Sequence, residues 1–165
     1  MTTKIYISLD KPDYLPEVAQ LIFTEWKPQL EKEKIYTLQQ CLQYLINEFQ
    51  NKKYSIMFLA IRNNILQGFV FLEEEDMIDR KQYSPWLSSL FVKEEYRNRG
   101  IASKLVKHVI RCCKKSSVDT NIQSLYLWCY PKYCYFYSQK GFSLLEEKKY
   151  CGENVMIMIY YLSNK

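Results

Sequence analysis

The sequence predicts an α/β sandwich around a mixed sheet of about seven strands, flanked by about four helices. Three observations carry this. Short stretches alternate apolar and polar residues, and between them apolar residues recur at helical spacing. The stretches run in the order β, α, α, β, β, β, α, β, α, β, β. That order mixes tight hairpins, which make antiparallel neighbours, with β-α-β crossovers, which make parallel ones.

KIYISL at 4–9 alternates like a strand. Residues 12–26 open with proline and acid and place Leu15, Val18, Ala19, Ile22 and Phe23 on one helical face. A second amphipathic helix is expected over 37–50. Strands at 54–62 and 65–74 are joined by Asn63-Asn64, a pair that tolerates the positive φ of a tight hairpin turn. PWLSSLFV at 85–92 is the next apolar strand. The helix from Gly100 to about Ser116 puts Ile101, Leu105, Val109 and Cys113 on its apolar face. His108 falls with Lys104, Lys107, Arg111 and Lys115, which predicts an exposed histidine rather than a catalytic one. A strand at 124–130 and a short helix at 132–141, stopped by Gly141, follow. Strands at 142–150 and 154–162 close the fold.

At 165 residues and 48% apolar content, the chain fits one domain with one core, spanning 1–165. No apolar run approaches the roughly 20 residues of a membrane span, and the N-terminus reads as no secretory signal. A cytoplasmic protein with six reduced cysteines is expected. No Cys-x-x-Cys pair exists and His108 is the single histidine, so neither a zinc site nor a metalloprotease His pair is expected. Cys112 and Cys113 read as one buried and one half-exposed thiol.

The net charge is +5, and Lys93–Lys115 holds eight basic and two acidic residues. Within it lies EEYRNRGIASKL, at 94–105, between a strand and a helix. The first turn of a helix has amides without intrahelical partners, and its dipole favours an anion. Gly100 can take a positive φ and lets a ligand approach the backbone. Arg97 and Arg99 add charge-assisted donors. The turn therefore reads as a phosphate site. It lacks the Gly-Lys-Ser/Thr ending of a P-loop, and the four glycines lie too far apart for a dinucleotide fingerprint.

The pattern Arg-x-x-Gly-x-Ala from Arg97 to Ala102 resembles the acyl-CoA pyrophosphate loop of the GCN5-related N-acetyltransferases, Gln/Arg-x-x-Gly-x-Gly/Ala. The preceding SPWLSSLFVKEEYRNRG resembles the apolar strand and turn of that family. FYSQKGF at 136–142 is similar to the Phe-Tyr-x-x-x-Gly-Phe that ends the family's cofactor-binding half. YLPEVAQLIFTEW resembles a subgroup that includes small bacterial members and the acetyltransferase of actin N-termini. The resemblance covers nearly the whole chain and implies a mostly antiparallel sheet.

It also implies an enzyme that moves an acetyl group from acetyl-CoA to a primary amine, a small molecule or a protein amine, by direct attack. The backbone amides of Asn98, Arg99, Gly100, Ile101, Ala102 and Ser103 would bind the pyrophosphate, with Arg97 and Arg99 near the phosphates. Leu90, Phe91 and Val92 would pair with the pantetheine through their backbones, beside a splayed sheet. Tyr137 would be the general acid, competing with Tyr130, Tyr133 and Tyr135 for the role. The family often forms homodimers.

The base is open. The strand 86–92 has Ser88 and Ser89 where many members carry a glutamate, which leaves Glu25 and the run Glu73 to Asp76; that run reads first as a solvated hairpin end. Tyr130 stands where members often carry an asparagine. Trp26, Tyr36, Trp86 and Tyr150 are candidates for an acceptor pocket, with packing as the default for each. An inactive acyl-CoA-binding protein and a basic nucleic-acid-binding module are the alternatives. Acidic runs at 73–76 and 146–147 argue against nucleic acid.

Overall fold

The computed structural model describes residues 2–51, 55–120 and 122–162. Seven strands form one sheet: β1 (Lys4–Ile7), β2 (Ile56–Arg62), β3 (Ile65–Glu73), β4 (Trp86–Val92), β5 (Ser124–Cys129), β6 (Ser143–Tyr150) and β7 (Glu153–Tyr161). Their order across the sheet is β1-β2-β3-β4-β5-β7-β6. All neighbours are antiparallel except β4 and β5. Mixed α/β, mostly antiparallel and seven-stranded, this is the expected architecture.

Five α-helices cover the sheet: α1 (Leu15–Glu25), α2 (Lys27–Lys32), α3 (Leu38–Asn51), α4 (Ile101–Thr120) and α5 (Cys134–Ser138). The sequence reading expected about four. The missed one, α2, is a single short helix started by Pro28 directly after the Trp26 break. The predicted helix at 12–26 begins as a 3-10 turn and becomes α-helical at Leu15. The predicted start of β2 at 54 lies outside the described residues.

Local chemistry explains the boundaries. Asn63 and Asn64 take φ of 52° and 58°, the paired left-handed turn that matches strand twist. At the start of α3, Thr37 Oγ1 accepts from the Gln40 amide at 3.2 Å, while Gln40 Oε1 accepts from the Thr37 amide at 3.0 Å. That reciprocal cap satisfies two otherwise orphaned donors. Gly141 stops α5 at φ +93°, where a Cβ would press on the Tyr160 ring at 2.9 Å.

The two faces of the sheet carry separate cores. Helices α1 and α3 bury Val18, Ala19, Cys41, Leu45 and Phe49 against β1–β4. On the other face α4 buries Leu105, Val106 and Val109 against Phe58, Val70, Leu125 and Leu127. Each large aliphatic or aromatic side chain so buried contributes roughly 1.5–3 kcal/mol. His108 departs from its expected wet position. It is half-buried, with its ring 5.0 Å from that of Phe58, and burial with Arg111 nearby holds its pKa below the usual range. The helical spacing was right, but α4 lies close enough to β2 to cover one more position.

Candidate active site

β4 and β5 are the only parallel neighbours among the described strands, and they share one register pair, Trp86 with Tyr126. The Tyr126 amide donates to the Pro85 carbonyl at 3.0 Å. From Leu87 onward β4 leaves β5, so the sheet gapes toward the C-terminal ends of both strands. A β-bulge shapes this side of the gap. Phe69 opposes Phe91 and Phe71 opposes Ser88, so β4 has one residue more than β3 in between. Ser89 absorbs it with φ of 49°. Behind the bulge β3 must come close, and Gly68 permits that: a Cβ there would lie 2.4 Å from the Phe91 carbonyl oxygen. Leu90, Phe91 and Val92 are half-buried along this rim.

The turn after β4 opens at the end of the same gap. Asn98 and Gly100 both take left-handed conformations, φ 60° and 76°, and no atom lies within 4 Å of where a Gly100 Cβ would stand. The first hydrogen bond of α4 returns from the Lys104 amide to the Gly100 carbonyl at 3.0 Å. The amides before it face outward without helical partners. Ile101 is buried and anchors the helix, while Ala102 and Ser103 are half-buried. Arg97 Nε donates to the Val92 carbonyl at 3.0 Å, which fixes the turn to the end of β4. The Arg99 guanidinium sits 5.7 Å from the Tyr96 ring centre. Leu90–Val92 and Arg97–Ser103 are thus brought to one rim.

Tyr137 lies in α5, on the β5 side. It is 8% exposed and packs edge-on against Phe136 and Phe142. Burial, with Cys129 and Tyr133 nearby, pushes the phenol above its usual range, so it stays protonated at neutral pH. Tyr133 and Tyr135, its sequence rivals, are exposed. Tyr130 packs edge-on to Trp128 at 6.2 Å.

On the α3 face lies a feature the sequence reading misjudged. Only the middle of the run at 73–76, Glu74 and Glu75, is solvated. Glu73 is 8% exposed, and its Oε2 accepts a hydrogen bond from Ser88 Oγ on β4. Asp76 is half-buried near the Trp128 indole. That indole holds the Asp76 pKa down without reaching full hydrogen-bond geometry, since Trp128 Nε1 is buried with no partner. Burial dominates both carboxyls and raises them well above the ordinary carboxylate range, and Asp76 raises Glu73 further. Glu74 and Glu75 remain exposed, as does Glu25. The available signal was register: Glu73 ends β3, so it faces the same side as Phe71, which packs on Phe49 of α3.

The loop between β3 and β4 closes over this region. Met77 is buried with Trp86, Val155 and Ile157. Arg80 Nε donates to Glu146 Oε2 at 2.9 Å, and Lys148 pairs with Asp79, which fastens the loop to β6. Of the candidate pocket aromatics, Tyr150 packs on Trp128 at 5.7 Å, and Tyr36 is exposed. Trp26 packs on Phe69 and Phe91. Trp86 is wholly buried and lines no open pocket, because its strand position turns it under the loop.

Comparison with known proteins identifies the arrangement. A family model described as the acetyltransferase (GNAT) family matches residues 16–142. No curated protein matches the chain. An acetyltransferase of the GNAT family from Staphylococcus aureus Mu50 superposes with a TM-score of 0.68 at 24% identity, covering 98% of this chain and 100% of that one. The spermidine/spermine N-acetyltransferase SpeG from Vibrio cholerae gives 0.68 at 18% identity, over 98% and 95% of the two chains. An aminoglycoside 6'-N-acetyltransferase complexed with coenzyme A gives 0.70 at 13% identity, over 100% and 99%. At these identities the likenesses establish the shared fold.

Proposed function

The chain belongs to the GNAT acetyltransferase family, and we propose that it acts as one domain over residues 1–165, moving acetyl from acetyl-CoA to a primary amine. The observation that carries this reading is the gap between β4 and β5, opening on a turn of outward amides at the start of α4.

In this reading the Leu90, Phe91 and Val92 backbones pair with the pantetheine arm, as an added strand would. The amides from Asn98 to Ser103 take the pyrophosphate, helped by Arg99 and by the Arg97 nitrogens that Val92 does not occupy. Both substrates share one cleft, and orientation supplies most of the rate. The amine lone pair attacks the thioester carbonyl carbon and the C–N bond forms. Strand N–H groups stabilise the oxyanion. The C–S bond then breaks, and the departing thiolate takes the Tyr137 proton. A phenol held protonated by burial suits that step.

The amine must shed a proton to attack. We assign its acceptor as Glu73, positioned by Ser88. A buried carboxylate with a raised pKa is a stronger base than a solvated one. It replaces the carboxylate that β4 itself lacks.

The deciding experiment is a thermal shift with acetyl-CoA, CoA and ATP, followed by thioester turnover with an amine. A ligand at about 100 times its Kd adds roughly 2.7 kcal/mol of stability. Stabilisation by both CoA species and not by ATP, with amine-dependent thiol release, is the expected result. No response to either CoA species overturns the reading.

A further inference from the structure

We propose that Cys129 and Cys134 are an oxidation site: a peroxide converts the pair to a disulfide that ties α5, and Tyr137 with it, to the end of β5. The bond itself needs no catalysis by this chain; its effect on turnover rests on the acetyltransfer reading.

The two sulfurs already touch. Cys129 Sγ, at the last position of β5, is 3.9 Å from Cys134 Sγ, at the first position of α5. A disulfide needs about 2.05 Å. The segment between them is a single turn, Pro131–Tyr133, and side-chain rotation with a small shift of that turn closes the difference. The other cysteines are placed differently. Cys41 is buried and donates to the Ala19 carbonyl at 3.7 Å. Cys112 and Cys113 are successive positions of α4, which point apart. Cys151 is exposed in the turn between β6 and β7.

Hydrogen bonding aims the pair. Cys129 donates to Met158 Sδ, also at 3.9 Å. A thiol has a single proton, so in the other contact Cys134 donates and a Cys129 lone pair accepts. Exposure sets the order of events. Cys129 is 4% exposed, while Cys134 is half-buried and reaches solvent. Burial, with Cys134 beside it, pushes the Cys129 thiol up to about 12, which keeps it protonated and slow toward oxidants in water. Cys134 Sγ therefore attacks hydrogen peroxide first. An S–O bond forms, the O–O bond breaks, and one water leaves as Cys134 becomes a sulfenic acid. The Cys129 lone pair then attacks that sulfur. The S–S bond forms, the S–O bond breaks, and the hydroxyl departs with the Cys129 proton as a second water. The two thiols lose two electrons, and the peroxide is reduced by the same two.

The position gives the bond a consequence. Tyr137 lies three residues after Cys134, on the same face of α5, with Cys129 nearby. Tyr130, packed on Trp128, falls inside the bridged segment. Closing the sulfur gap draws the start of α5 toward β5 and shifts the phenol from the departing thiolate. Leu90–Val92 and Asn98–Ser103, on the opposite rim, belong to other elements and keep their places.

The test treats the full chain with hydrogen peroxide, for wild type, Cys134→Ser and Cys134→Ala. Bridges are read by non-reducing tryptic mapping and amine acetylation by product mass. Trypsin cuts after Lys132, so residues 116–132 and 133–140 stay joined only through a Cys129–Cys134 bond. The joined peptide is expected about 2 Da below the sum of the two, the hydrogens lost on oxidation. Turnover is expected to fall roughly 10-fold or more, within what a positioned acid contributes. Dithiothreitol restores it, and the thermal shift with CoA persists throughout. Amide deuterium uptake over Cys134–Ser138 slows on oxidation, which reads the tie without any activity. Neither variant forms the joined peptide or loses turnover. Cys134 is half-buried, so both variants fold; circular dichroism and melting check this. No joined peptide, unchanged turnover in the bridged enzyme, or inactivation that persists in both variants overturns the proposal while leaving acetyltransfer intact. If no amine is acetylated at all, the acetyltransfer reading fails. The joined peptide with slowed uptake at α5 then still supports the site, and the absence of either overturns it.

Discussion

Ser88 on β4 donates its hydroxyl proton to the Glu73 carboxylate on β3. The two side chains share the face where β3 and β4 still pair tightly, just before β4 leaves β5. A buried carboxylate thus reaches β4 from the neighbouring strand.

Glu73→Gln tests that placement on two readouts of opposite sign. Acetylation falls by roughly 10²- to 10⁴-fold, the usual contribution of a positioned base. Stability moves the other way. The folded-state pKa of Glu73 is raised, by burial first and then by Asp76, with Ser88 opposing and Glu48 and Glu33 adding. The folded chain therefore prefers the protonated form, and stability is lost as pH rises from the ordinary ~4.3 through the raised value. Glutamine removes that loss and still accepts from Ser88. Melting curves from pH 5 to 9 are expected to show the variant gaining on wild type as pH increases.

Tyr137→Phe separates chemistry from binding. The ring keeps its packing on Phe136 and Phe142, so the melting temperature and the CoA thermal shift hold. The rate falls by roughly 10²-fold or more, because the thiolate leaves without its proton. A variant that loses CoA protection as well would make Tyr137 a packing residue.

Gly100→Glu and Gly100→Ala divide strain from occlusion. At φ +76° any side chain costs about 1–2 kcal/mol, although the space around the Cβ is open. Alanine therefore lowers stability slightly and keeps a CoA response. Glutamate adds a negative charge where the phosphates are to sit, and the thermal shift with CoA is expected to vanish.

Gly68→Ala attacks the same cleft from behind. A Cβ at 2.4 Å from the Phe91 carbonyl forces β3 and β4 apart at the bulge. A cost of about 1–3 kcal/mol is expected, as for other overpacked sites. CoA affinity drops with it, although residue 68 faces no ligand. Denaturant melts and CoA titration measure both.

Much of this was readable in the residues. Asn63-Asn64 announced its turn, because few other pairs accept two positive φ values. The anion turn at Arg97–Ala102 was legible because a glycine between arginines and a helix start suits a phosphate; the acid role of Tyr137 came only from the resemblance of FYSQKGF to the family's motif, and both roles belong to the proposed function. The carboxyls were named as candidates beside Glu25, but their run was read first as solvated. Four acidic residues in a row look solvated, and only the pairing of Glu73 with Trp86 across β3 and β4 turns the first of them inward. For Trp86 the default of packing holds: a strand tryptophan can face a pocket or a covering loop, and Met77 supplies the cover. Helix α2 was hidden by its length, since six residues show no periodicity. His108 depended on how close α4 sits to Phe58, a tertiary distance that no helical wheel contains.

One register pair between β4 and β5 also governs how the molecule holds together. Most seven-stranded open sheets have two edges; this one has four, because the gap adds an inner pair. Amides along an unpaired strand recruit any extended chain, including another copy. The two halves, β1–β4 and β5–β7, are bridged by α4, by the loop between β3 and β4 and by that single pair, with no ladder along the rest of β4 to resist local opening. Amide deuterium uptake along Leu87–Val92 should exceed that of β2 and β3. A cosubstrate lying in the gap slows it, and in doing so shields the ligand-free enzyme's most aggregation-prone surface.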